Sequence, residues 1–205
     1  MEIPGISDFR VLVVPGWHGS GDSHWQSRWE RLHPSFERVQ QAHWDQPDLA
    51  VWSEQLARAL AQSSRPALVV AHSFGCLTTI HCARIGAPNL TGALLVAPAD
   101  PARFDAAELL RNAKLAFPSI TVGSRNDPWM ESRRAAEWAD LWGSYFVDGG
   151  ALGHINAESG FGDWPFGLTL LQRLAAMAQA NRHVSYGMQP ASIQLPAASD
   201  ADNAV

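Results

Sequence analysis

One ten-residue stretch, residues 68–77, constrains the fold of this chain more than any other, and it reads LVVAHSFGCL. The apolar run that ends at Ala71 is typical of a β-strand buried on both faces. The small and apolar residues after Gly75 are typical of a helix. The pattern therefore predicts a strand, a sharp turn and a helix, with Ser73 at the turn.

Small residues stand two positions before and two positions after Ser73. They are needed where the backbones of a strand and a helix nearly touch. The pattern G-x-S-x-G marks such a turn, and the turn exposes a nucleophilic serine at the edge of a sheet. Ala71 replaces the first glycine, which is a small departure because alanine adds only a methyl group. The alternative is that Ser73 merely caps the helix.

Apolar β-type runs alternate with helical patterns along the rest of the chain. Predicted strands lie near residues 11–14, 36–40, 68–71, 93–97, 119–123 and 144–147, and predicted helices lie near 24–32, 49–60, after 75, and near 106–114, 131–141 and 166–180. This alternation predicts an open, mainly parallel sheet with helices on both faces, which is a three-layer α/β/α sandwich. The active site of such a sheet lies at the carboxyl ends of its strands.

The length of 205 residues suits one domain, which we expect over residues 1–182. From residue 183 onward Pro, Ser, Ala and Asn dominate without periodicity, so we expect a disordered tail over 183–205. The net charge of −5 does not indicate a nucleic-acid partner. We find neither a signal-peptide pattern nor a membrane-spanning apolar run, and the two cysteines do not suggest a disulfide; we therefore expect a cytoplasmic protein without membrane attachment.

A serine hydroxyl is a weak nucleophile, so it needs a base and an acid that orients that base. On this architecture the partners follow the serine in the order acid, then histidine. Asp127 fits the acid because it follows the strand predicted near 119–123. The alternatives are that Asp127 only forms a turn before a proline, or that Asp100 or Asp105 is the acid.

His154 fits the base, since it follows the last predicted strand within a glycine-rich loop. It is the one histidine placed at a strand's carboxyl end downstream of both Ser73 and the candidate acids. A single loop histidine is commonly a surface residue, and only the ordered set of three favours a catalytic role.

Backbone N–H groups must stabilise the oxyanion that forms in acyl transfer. The residue after the nucleophile, Phe74, supplies one candidate donor. The glycine-rich loop after the first strand supplies the second, and we assign it to Trp17, with Gly16 and His18 as neighbours. The alternative for this loop is a plain glycine turn.

Several aromatic residues neighbour the predicted strand ends. Trp25, Trp44 and Trp129 are candidate substrate-binding residues, together with Gly16 and His18, although the tryptophans are equally suited to packing the loops. His18 and His24 lack further ligands at metal-binding spacing, so we predict no metal and no cofactor.

Taken together, these motifs resemble those of a known group, the small serine hydrolases related to retinoblastoma-binding protein nine and the bacterial YdeN-type proteins. The similar segments span about residues 10–180 and are VPG at 14–16, HW at 24–25 through Trp29, QPD at 46–48 with Trp52, AHSFG at 71–75, GS at 123–124 through DP at 127–128, and GHIN at 153–156.

The resemblance implies an α/β-hydrolase fold without a large lid and a triad of Ser73, Asp127 and His154. It also implies hydrolysis of carboxylic esters, including amino-acid esters. The short connector at residues 98–117 independently favours a missing lid and hence a small ester substrate. Two alternatives use the same scaffold, namely a protein-binding module without catalysis and an acyltransferase.

Overall fold

The computed structural model describes residues 5–187, with side chains as far as residue 183. Its six strands are all parallel and lie in the order β2-β1-β3-β4-β5-β6. Their bounds are β1 Arg10–Val14, β2 Phe36–Arg38, β3 Ala67–His72, β4 Leu90–Val96, β5 Ser119–Gly123 and β6 Tyr145–Asp148. The predicted open parallel sheet is confirmed.

Six helices connect or follow these strands. They are α1 Trp25–Leu32, α2 Leu49–Ala61, α3 Phe74–Ile85, α4 Ala107–Arg111, α5 Ser132–Trp142 and α6 Pro165–Gly187. Two short 3-10 turns, Pro101–Phe104 and Ala157–Ser159, complete the element list. Within residues 5–187, no helix combines the length and apolar character needed to cross a bilayer.

Both faces of the sheet are buried, because consecutive strand residues enter opposite halves of the core. On β3, for example, Val69 belongs to the half of the core that contains residues of α2, α3, α4 and α5, whereas Val70 belongs to the half that contains residues of α1 and α6. The same alternation places Leu12 and Val13 of β1 on opposite faces. The chain is therefore a three-layer α/β/α sandwich of the α/β-hydrolase type.

The connector between β4 and β5 contains only the 101–104 turn and α4. Lid helices are absent from this described segment, as the short connector predicts. Since all strands are parallel, the loops that follow β1, β3, β4, β5 and β6 emerge at one edge of the sheet. That edge holds every candidate catalytic residue.

One boundary prediction is wrong. Helix α6 continues to Gly187, so residues 183–187, which we assigned to the disordered tail, are helical. The rest of the predicted tail, 188–205, lies outside the described residues. Helix α1 is capped by His24, whose Nδ1 accepts from the Gln26 amide at 3.2 Å.

Candidate active site

Ser73 lies at the turn between β3 and α3, in a backbone conformation that few residues adopt. Its φ is +53° and its ψ is −120°. The turn brings α3 against the end of β1: a Cβ added to Gly75 would lie 2.6 Å from the Pro15 carbonyl oxygen and closer still to that of Val14. A strained φ at a non-glycine residue is typical of a functional turn. Ser73 Oγ makes no capping bond to α3, so the capping alternative is wrong.

The three predicted side chains meet in space. Ser73 Oγ lies 3.0 Å from Nε2 of His154. The other ring nitrogen of His154, Nδ1, lies 2.9 Å from Oδ2 and 3.0 Å from Oδ1 of Asp127. An ionised carboxylate can only accept, so Nδ1 carries the proton and Nε2 is left to accept from the serine hydroxyl.

Burial makes this arrangement stiff and partly dry. The side chain of Asp127 is 2% exposed and that of His154 is 10% exposed. Oδ1 of Asp127 also accepts from the Trp129 amide at 2.9 Å, which orients the carboxylate toward the imidazole. The geometry is that of a nucleophile, a base and a buried acid.

Three other carboxylates follow strands β4 and β6, among them the alternative acids Asp100 and Asp105. Asp100 caps the 101–104 turn and accepts from Nη2 of Arg134 at 2.9 Å. Asp105 is exposed at the end of the same turn. Asp148 accepts from the Gly150 amide and from Arg125, and these two bonds lower the pKa of its carboxyl group. None of the three bonds His154.

Small polar residues join the loop that carries Asp127 to the loop that carries His154. Ser124 Oγ accepts from the Leu152 amide at 2.9 Å, and Asn126 Oδ1 accepts from the Gly153 amide at 2.7 Å. Ser124 also donates to Asn126 at 3.0 Å. Our sequence analysis missed both residues; their signal is a pair of short polar side chains between a strand end and the acid.

A third missed residue is His72, which precedes Ser73. Its Nε2 lies 2.9 Å from the carbonyl oxygen of His154. A carbonyl only accepts, so His72 donates and ties the elbow to the base loop. Burial, followed by the neighbouring His24 and His154, holds the pKa of His72 well below its usual range, so this donor stays neutral.

The candidate oxyanion donors flank the serine. A Cβ on Gly16 would lie 2.7 Å from Ser73 Cβ, so the loop after β1 runs against the nucleophile. The amides of Trp17 and Phe74 donate to no backbone acceptor within the described chain. The amide of His18, a neighbouring candidate, is used, because it donates to the Trp44 carbonyl at 2.8 Å.

The tryptophans near the strand ends differ in their surroundings. Trp25 is 1% exposed, packs against Trp29 and Trp164, and donates to the Ile155 carbonyl at 2.7 Å. Our assignment of Trp25 to substrate binding is therefore wrong, because α1 turns this ring into the core. Trp44 is half-buried and packs under Gly19 and against Trp52, so it supports the loop after β1.

Trp17 and Trp129 are 46% and 53% exposed. The ring of Trp129 lies 6.4 Å from that of His154, and Trp17 lies 6.3 Å edge-on from Phe104. A cavity of about 450 Å³ opens beside His154, lined among others by Asn126, Trp129, Leu152, Glu158 and Phe161. Two cavities of about 400 and 480 Å³ lie instead near Arg10 and Arg65, at the amino ends of the strands.

This chain is similar to known hydrolases. The family model described as serine hydrolase matches residues 11–173. A search of curated proteins found no match. Among solved structures, a protein from Pectobacterium atrosepticum described as a YdeN-like hydrolase is 40% identical, with a TM-score of 0.82, over 85% of this chain and 94% of that one.

More distant structures share the fold. The ydeN gene product of B. subtilis is 19% identical over 82% of this chain and 99% of its own, with a TM-score of 0.64. The esterase RhEst1 from Rhodococcus sp. ECU1013 is 15% identical over 83% of this chain and 92% of its own, with a TM-score of 0.62. The predicted resemblance to YdeN-type proteins is confirmed, and the chain belongs to the serine hydrolase family.

Proposed function

We propose that this protein hydrolyses small carboxylic esters through an acyl-enzyme on Ser73. The observation that carries the proposal is the continuous hydrogen-bonded chain from the Ser73 hydroxyl through His154 to the buried Asp127 carboxylate. Membership of the serine hydrolase family supports it. The esterase among the distant structures shares only the fold and carries no weight for the substrate.

The first half-reaction begins when Ser73 Oγ attacks the ester carbonyl and His154 Nε2 takes the hydroxyl proton. Asp127 stabilises the imidazolium that results, since its carboxylate faces Nδ1 at 2.9 Å. His154 then returns the proton to the leaving alcohol. In the second half-reaction His154 removes a proton from water, which attacks the acyl-enzyme and releases the acid.

The negative charge on the carbonyl oxygen needs donors that are in place beforehand. The Phe74 amide lies at the start of α3, where the helix dipole also favours negative charge. The Trp17 amide is the second proposed donor, on the loop that Gly16 holds against the serine. Both residues keep the roles that the sequence predicts for them.

The cysteines are poor rivals for the nucleophile. Burial raises the pKa of Cys82 to about 11 and raises that of Cys76 further. A buried thiol of this kind is not a thiolate at neutral pH. Both thiols are free, which fits the cytoplasmic location that is part of this proposal.

The test is a panel of p-nitrophenyl and phenyl esters, thioesters and amides with the wild type and with Ser73→Ala. We expect a burst of alcohol from the wild type, fastest with short acyl esters, and loss of turnover in Ser73→Ala. Equal turnover by both proteins would contradict the proposal. A folded wild type without any burst would favour the binding module, and transfer to added alcohols that outpaces hydrolysis would favour the acyltransferase.

A further inference from the structure

Contacts between rings outline one part of the mouth of the candidate site. Phe104, in the 101–104 turn, packs on Phe74 at 4.7 Å and meets Trp17 edge-on. The amide of Ala99, which precedes this turn, donates to the Ser73 carbonyl at 3.1 Å. The turn is therefore held against the nucleophile.

Arg103 lies in this turn, and its guanidinium carbon is 5.4 Å from the centre of the Trp129 ring. Arg103 and Trp129 thus bridge the two loops at the mouth. A guanidinium that rests on an aromatic face keeps its in-plane N–H groups available, and stacking limits the freedom it would lose on binding. In the described part of the chain, no hydrogen bond or ion pair occupies these N–H groups.

Neighbouring arginines are different in this respect. Arg134 is paired with Asp100, and Arg125 is paired with Asp148. Asp100 is the carboxylate just before the turn. Because it bonds Arg134 and the Ala102 amide, it does not pair with the charge of Arg103. The positive charge of Arg103 is therefore available to a substrate bound at the mouth of the site.

The proposed mechanism decides which part of a substrate meets Arg103. His154 protonates the leaving group, so the leaving group belongs beside the imidazole, where the 450 Å³ cavity opens. Arg103 and Phe104 do not line that cavity, whereas the Trp129 ring on which the guanidinium rests lies at its edge. We therefore place the acyl chain outside the cavity, along Phe104 and toward the guanidinium.

We infer that Arg103, supported by Trp129, forms a subsite for an anionic group on the acyl chain, so that half-esters of dicarboxylic acids are preferred substrates. This inference rests on the proposed ester hydrolysis. A carboxylate at the end of a short acyl chain would receive two N–H donors from the guanidinium. The Trp129 ring beneath would shield this pair from water on one side.

The experiment compares mono-p-nitrophenyl adipate with the neutral p-nitrophenyl adipamate in wild type and Arg103→Gln. We expect the ratio of kcat/KM for the acid over the amide to fall about fivefold in Arg103→Gln, as for a partly exposed ion pair. The wild-type ratio should also fall as salt is added. Arg133→Gln, an exposed arginine of α5 that pairs with Glu137, is the matched control and should leave the ratio unchanged.

Further variants separate stacking from charge. Trp129→Phe keeps an aromatic face and should keep the preference, whereas Trp129→Leu should lower it. A second ester pair places the acid on the alcohol, p-carboxyphenyl hexanoate against p-carbamoylphenyl hexanoate. If Arg103→Gln lowers the acid-over-amide preference only for this second pair, the assignment to the acyl side is overturned.

The outcomes keep this inference apart from the proposed function. An acid-to-amide ratio equal in wild type and Arg103→Gln, with Ser73-dependent turnover of both esters, would overturn only the anionic subsite. A wild-type preference for p-nitrophenyl 6-aminohexanoate over the adipate would overturn it too, and would point to Glu158 in the cavity lining. No turnover of any ester by the wild type would overturn both.

Discussion

The nucleophile elbow and the paired acid and base loops are held in place by different means. The elbow is fixed by backbone packed on backbone, since Gly75 meets the end of β1 and Gly16 meets Ser73. The acid and base loops are joined by side-chain bonds from Ser124 and Asn126. A change in the elbow should therefore cost stability first, whereas a change between the loops should cost activity first.

The largest expected effect is that of Gly75→Ala on stability. The new methyl group would overlap the carbonyl oxygens of Val14 and Pro15, and backbone cannot move aside cheaply. We expect a loss of about 3 kcal/mol in the free energy of unfolding, measured by urea denaturation. Gly21→Ala is the control, because its added Cβ has nothing within 4 Å. Equal stability of the two variants would show that the elbow is not packed as described.

The next effect is a pH dependence of stability that arises beneath the elbow. Burial, with Arg38 and His154, lowers the pKa of His24 to about 3, whereas the unfolded chain has its ordinary value of 6.5. Below pH 6.5 the unfolded state binds a proton that the folded state does not, so stability present above that pH declines as pH falls toward 3. At pH 4.5 this group alone accounts for a loss of about 3 kcal/mol.

His24→Asn tests this assignment, since asparagine keeps an N-cap acceptor but does not titrate. The free energy of unfolding is measured with urea at several pH values between 7.5 and 4.5. Plotted against pH, it should change less steeply for the variant than for the wild type. Identical slopes would mean that His24 is not the group that resists protonation.

Asn126→Ala should lower activity more than stability. The variant loses the bond to the Gly153 amide, which holds the base loop against the acid loop. We expect kcat to fall about tenfold, as for one lost hydrogen bond, while KM changes little. Asn112→Ala, the same substitution at an exposed asparagine after α4, is the control and should retain kcat for a neutral ester. A kcat at the wild-type level in Asn126→Ala would mean that the loops do not need this bond.

His72 links the elbow to the loop that carries His154. His72→Phe removes the donor to the His154 carbonyl and should lower kcat about fivefold. His72→Gln restores an N–H donor and should recover part of that loss, which a purely steric role would not predict. Steady-state kinetics of both variants, with unfolding curves to show that they fold, provide the measurement.

The same contrast explains what could be predicted from the sequence. The elbow is encoded within ten consecutive residues, and Asp127 and His154 follow from chain order and strand ends. Trp25 was misassigned because closeness to a strand end in sequence does not tell which way a helix turns a ring. Ser124 and Asn126 were missed because their partners are 28 and 27 residues away.

Helix α1 shows a further limit of local patterns. A buried histidine is a poor guess for an N-cap, yet His24 serves as one because its ring also packs on His72. The predicted sheet did not depend on such choices, because strands buried on both faces leave continuous apolar runs.

The central claim is that Ser73 is the nucleophile and that His154 activates it, and the site of covalent labelling tests this directly. The wild type, Ser73→Ala and His154→Ala are treated with a fluorophosphonate and digested, and the modified peptide is identified by mass spectrometry. We expect one adduct, on Ser73, formed in the wild type, absent from Ser73→Ala and at least about 10³-fold slower in His154→Ala. An adduct on another residue, or labelling of the wild type that His154→Ala does not slow, would contradict it.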